Sequence, residues 1–164
     1  MNPQRIRPTF RFLISKPPHL VSLGFGSGLA PVAPGTFGSL AAWGLYALLP
    51  AGFPLPVLLG VVLVAFFTGA ACIAKTGAEL GEIDHGAIVW DEFVAVWLVL
   101  LFVPATFWWQ LAGVAVFRFF DILKPWPIRQ ADRAFKNGLG VMFDDLLAAI
   151  YTLLCVFAAM KVMA

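Results

Sequence analysis

Charge is what this chain has least of. Only 12% of its 164 residues are Asp, Glu, Lys or Arg, about half the ~25% of a soluble domain, so polar groups cannot cover a water-facing surface. Cysteine is nearly absent: Cys72 and Cys155 both stand in apolar runs and read as small core residues, not as a disulfide or a metal pair. The net charge of +2 is too small to indicate a nucleic-acid partner. A cleavable signal peptide is not expected, because Arg5, Arg7, Arg11 and Lys16 are followed by Pro17-Pro18 where its apolar region should begin. Several catalytic signatures are also missing. No Gly-x4-Gly-Lys-Ser/Thr loop is present for a nucleotide. No Cys-x5-Arg provides a thiolate phosphatase, since Cys155 is followed six places later by Lys161, and no Asp-x-Asp supplies a nucleophile. Internal repeats and low-complexity tracts are absent.

What remains is apolar. Hydrophobic residues make up 61% of the chain, and the mean hydropathy is +0.90. The expected fold is an all-α integral membrane bundle in one domain, residues 1–164, with about five apolar helices and a basic cytoplasmic arm over residues 1–19. A short interfacial helix is expected through Phe10–Ile14. Residues 24–39, rich in Gly and Pro, predict an irregular loop. The apolar segments are Phe37–Leu49, stopped by Pro50, then Pro54–Ala74, Ile88–Val103, Phe107–Phe120 and Leu139–Val162. Polar loops cover 75–86 and 121–138. The first and fourth segments, at about 20 Å, fall short of a ~30 Å hydrocarbon core and are candidates for half-spans.

Five crossings with the basic arm inside place every acidic residue at or near one face. Ten of the eleven basic residues join them, leaving Lys161 on the far side. Other crossing numbers divide the charges between the two faces. This separation favours five spans and an inner-face site.

Asp91 and Glu92 dominate the chemistry. They lie within an apolar run, where a charged acid costs roughly 2.5–3.5 kcal/mol on insertion scales. They need cations, either from Arg and Lys or from a metal. Asp144 and Asp145 reach a similar depth in the last segment, with Glu79 and Asp84 nearby in the loop. Clustered carboxylates repel unless cations are present, and an all-oxygen ligand set suits Mg²⁺ or Ca²⁺. Candidate metal ligands are therefore Glu79, Asp84, Asp91, Glu92, Asp144 and Asp145. Asp91, Glu92, Asp121 and Lys124 are candidate catalytic residues. Ser27, Thr36, Arg118 and Arg129 are candidate phosphate contacts, Arg129 by a two-pronged grip. Simpler readings compete with these. Arg118, Asp121 and Lys124 fit an ion-pair ladder, Asp84 a helix cap, Glu79 a solvated face, and the tryptophans interfacial anchors.

Three stretches resemble the phosphatidylglycerophosphatase A family. The first is Gly24-Phe-Gly-Ser-Gly-Leu-Ala-Pro-Val-Ala-Pro-Gly-Thr-Phe-Gly-Ser-Leu40. The second is Asp84-His-Gly-Ala-Ile-Val-Trp-Asp-Glu-Phe93. The third joins Phe117–Arg129 with Gly138–Leu146. Asp-His-Gly and Trp-Asp-Glu-Phe are similar to the proteobacterial branch; Ala95 departs from its usual Gly. The resemblance implies a Mg²⁺-dependent enzyme of the bacterial inner membrane. It would hydrolyse phosphatidylglycerophosphate to phosphatidylglycerol and phosphate, with the glycine-rich loop offering backbone N–H groups to the phosphate. A phospholipid substrate and no nucleic acid are expected; the oligomeric state is left open. The main rival is a small membrane transporter that uses the buried acids as an ion pathway. A CDP-lipid phosphotransferase would need an Asp-Gly-x2-Ala-Arg pattern that is missing, and a non-catalytic scaffold leaves the acids unexplained.

Overall fold

The computed structural model describes residues 7–49 and 52–163, and all regular structure among them is helical. Residues 1–6, with Arg5, and Pro50, Ala51 and Ala164 lie outside the described residues. Two short helices open the chain, α1 (Phe10–Ser15) and α2 (Pro17–Ser22). Thr9 caps α1 by accepting the Phe12 N–H at 3.3 Å. Pro17-Pro18 starts α2, because proline fits the first helical turn, where its missing N–H leaves no bond unmade.

A 3₁₀ segment at Gly24–Leu29 leads to α3 (Pro34–Ala47). The helix therefore begins inside the stretch expected to be irregular, again on a leading proline. The longest helices are α4 (Leu55–Leu80) and α8 (Gly138–Met163), and both are long and apolar enough to cross a membrane. At 1.5 Å per residue each spans about 39 Å, more than a ~30 Å core. α4 runs six residues past Ala74, into the expected polar loop, and stops at Gly81 in the left-handed conformation (φ 81°). Between them lie α5 (Trp90–Phe102), α6 (Phe107–Leu123) and α7 (Ile128–Ala134).

α5 is the hub, packed against α3, α4, α6 and α8. Trp90 through Val96 are all buried. Its neighbours approach closely because they present glycines. Gly69 of α4 lies under the Trp90 indole, and Gly38 of α3 faces Val89, where an added Cβ would come within 2.7 Å. Indole N–H groups complete the joints: Trp90 donates to the Ala65 carbonyl at 3.0 Å, and Trp97 donates to that of Ala42 at 2.9 Å. Trp43 donates to Gln110 at 2.8 Å, while Trp108 and Trp126 are exposed. Only part of the tryptophan set is thus free to anchor at an interface.

Candidate active site

The first turn of α5 meets the second turn of α8. That meeting brings together Asp91, Glu92 and Asp145, all buried, with carboxylate oxygens lying within 4.8 Å of one another. α2 sets the height of α5: the Ser22 carbonyl accepts the Val89 N–H at 2.9 Å, and the Ser22 hydroxyl accepts a hydrogen bond from Thr76 of α4 at 3.1 Å. Because Asp91 and Glu92 are adjacent on a helix, they point about 100° apart. Glu92 accepts from Arg118 Nη1 at 3.3 Å, and the same nitrogen donates to Asp121 at 2.5 Å.

Lys124 forms a second bridge. It ends α6 in the left-handed conformation (φ 42°) and donates to Asp144 at 2.5 Å and Asp132 at 2.9 Å. Burial alone would lower the Lys124 ammonium, but the carboxylates of Asp144 and Asp132 outweigh it and hold the group above the ordinary lysine range. Among the described residues Asp91 and Asp145 have no cation beside them, and Asp91 Oδ1, Glu92 Oε2, Asp144 Oδ1 and Asp145 Oδ2 are buried without hydrogen-bond partners. Unpaired buried carboxylate oxygens are costly. An oxygen-only donor set with vacant lone pairs fits a hard divalent cation, and these residues can hold one.

Of the other expected site residues, Asp84 borders this centre through Asp132, and Glu79 is engaged with the N-terminal helices. Glu79, near the end of α4, binds Lys16 at 2.7 Å and lies 3.3 Å from His19 Nε2, which fastens the N-terminal helices to α4. Asp84 is exposed and lines a hollow with Asp132 and Arg133. Arg129 is exposed in the first turn of α7, with no ion pair among the described residues. Ser27 donates to the Gly24 carbonyl at 2.8 Å, and Thr36 stands half-buried in the first turn of α3. Two of the loop's glycines serve local packing instead of displaying N–H groups. The Gly26 and Gly28 N–H groups bond to the Leu23 carbonyl, and Gly28 abuts the Ala87 carbonyl.

Two participants escaped sequence reasoning. Gly35 lies directly against Glu92 and Arg118, where an added Cβ would come within 2.9 Å of Arg118 Nη2 and overlap the Glu92 carboxylate. Its only sequence signal is a glycine next to a helix-starting proline. His19 is fully buried, stacked on Phe12 at 4.0 Å and touching Ser15 Oγ at 3.0 Å through Nδ1. No pattern announced it.

The family model of phosphatidylglycerophosphatase A matches residues 20–160. The chain belongs to the phosphatidylglycerophosphatase A family. A phosphatidylglycerophosphatase A from Haemophilus influenzae is 48% identical over 152 residues, covering 92% of this chain and 93% of that protein. One from Escherichia coli is 44% identical over 145 residues, covering 85% and 81%. No solved structure gives a significant match. The matched span takes in every part of the candidate site just described, from Gly35 on α3 to Asp145 on α8.

Proposed function

We propose that this protein removes the terminal phosphate of phosphatidylglycerophosphate: one water enters, one phosphomonoester P–O bond breaks, and phosphatidylglycerol and inorganic phosphate leave. The single observation carrying this reading is the buried Asp91–Glu92–Asp145 meeting point, short of cations and flanked by Arg118 and Lys124. Membership of the phosphatidylglycerophosphatase A family supplies the substrate class.

Asp91 and Asp145 would hold Mg²⁺, with Glu92 completing the set or accepting a proton from the attacking water. The bound ion would supply a Lewis acid for the phosphoryl oxygens and an acidified water. Arg118 is held by Glu92 and Asp121 through Nη1, and its buried Nε is left free to donate to a phosphate oxygen. Lys124 brings a second positive charge, positioned by Asp132 and Asp144. Two cations placed in advance stabilise the charge that spreads over the phosphoryl oxygens during transfer.

The same reading sets the chain in the bacterial inner membrane with the site at the cytoplasmic face. α4 and α8 cross fully, and the shorter α3, α5 and α6 complete a five-segment bundle in a single domain. The deciding experiment is phosphate release from phosphatidylglycerophosphate by the purified protein in detergent, with Mg²⁺ and with chelator. Release only with Mg²⁺ is expected. Release unchanged in chelator rejects the metal, and no release under any condition rejects the activity.

A further inference from the structure

Three hollows on the α4–α8 side share walls in sequence. The most voluminous of the three, about 600 Å³, is lined only by apolar residues, among them Gly60 and Leu63 of α4, Leu98 of α5 and Phe143 of α8. Phe66 and Phe143 also wall the next, of 410 Å³, which reaches Phe135 beside the start of α8. Phe135 and Gly140 then wall a third, of 290 Å³, where the lining turns polar with Glu82, Asp84, Asp132, Arg133 and Lys136. Asp132 is bonded to Lys124, and Lys124 to Asp144, so this last hollow adjoins the carboxylate centre.

We infer that the three hollows form one track that seats the substrate lipid. An acyl chain lies in the α4–α8 groove, the internal phosphodiester rests on Arg133 and Lys136, and the terminal phosphate reaches Arg118 and Lys124. This assignment rests on the phosphatase reading above. The lipid carries two phosphates, and the catalytic centre engages one, so the other anion needs cations of its own. Arg133 and Lys136 are exposed, and among the described residues no ion pair engages either. The order along the track (apolar, then mixed charge that includes Arg133 and Lys136, then acidic with two held cations) follows the order along the lipid: chain, phosphodiester, phosphomonoester. Gly60 borders open space in this groove, since an added Cβ there meets nothing within 4 Å.

That open space makes Gly60→Trp a suitable probe, because its Cβ meets no protein atom and its indole is directed at the groove volume. Gly44 on α3 is equally open, so Gly44→Trp is the control. With the full chain in detergent micelles, Gly60→Trp should raise KM for long-chain phosphatidylglycerophosphate by about tenfold, and Gly44→Trp should leave it unchanged. The paired substitution Arg133→Gln and Lys136→Gln should raise KM by about tenfold or more with kcat nearly kept. A readout independent of turnover is photo-crosslinking by the same lipid carrying a diazirine in one acyl chain. Label should appear in peptides containing residues 59–67 and 143–146, and Gly60→Trp should remove it. Equal effects of the two tryptophan variants, or label elsewhere in wild type, overturn the acyl groove. An unchanged KM in the double variant overturns the phosphodiester assignment. Wild type that binds label in the groove but releases no phosphate refutes the phosphatase reading alone.

Discussion

Asp91 and Asp145 differ from the other buried acids in having no cation beside them among the described residues. Glu92 and Asp121 share Arg118, Asp132 and Asp144 share Lys124, and Glu79 has Lys16 and His19. Asp91→Asn and Asp145→Asn are therefore each expected to lower kcat by roughly a hundredfold or more while the protein still inserts and purifies. Phosphate release per milligram of purified protein checks this, and near-normal turnover would remove the residue from the centre. Glu79→Gln should keep most of its turnover, because Glu79 ties down the N-terminal helices and not the carboxylate centre. Gly35→Ala tests the close approach of α3. Alanine suits a helix better than glycine by about 1 kcal/mol, yet its Cβ must push Glu92 and Arg118 aside. Helix content should survive, read by far-UV circular dichroism, while kcat falls by about tenfold or more. Asp91 and Glu92 were legible in the sequence because carboxylates in an apolar run announce their cost. Their division of labour was not, because it depends on which helix carries the nearest cation.

The apolar segments were legible as elements, and their ends were not. α8 was expected at Leu139–Val162 and runs Gly138–Met163; α5 was expected at Ile88–Val103 and runs Trp90–Phe102. The larger misses share one cause. Proline was read as breaking an apolar run at Pro17-Pro18 and as excluding helix over residues 24–39, yet Pro17 and Pro34 occupy the opening turns of α2 and α3. Polarity was read as loop over 75–80, where α4 continues as helix past its apolar stretch. The glycines of the first motif were read as phosphate donors; Gly26 and Gly28 give their N–H groups to Leu23, and Gly24 and Gly38 press on Val89 at the entrance to α5. Helix contact through glycine gives an element-scale prediction. Gly138 meets the Ala70 carbonyl where α8 crosses α4, while Gly44 faces open space. Gly138→Ala should lower the melting midpoint in detergent by several degrees, and Gly44→Ala should hold or raise it. Without water to drive burial, close contact of this kind supplies much of the attraction between helices in lipid.

For the whole molecule, the inside placement of both polar segments is open to labelling. In a variant with Cys72 and Cys155 replaced, single cysteines at Lys75 and Lys136 should react only from the cytoplasmic side. One at Thr106 should react from outside; labelling of Lys75→Cys from outside would contradict five crossings. The carboxylate centre has a thermal consequence as well. Four buried acids face two side-chain cations, so without a divalent ion the native state holds like charges together that the unfolded chain keeps apart. An ion that binds only the folded form stabilises it by RT ln(1 + [L]/Kd). Magnesium alone, with no lipid added, should therefore act as a heat protectant. The midpoint should climb with the logarithm of its concentration once the centre begins to fill, and that slope should vanish in Asp91→Asn.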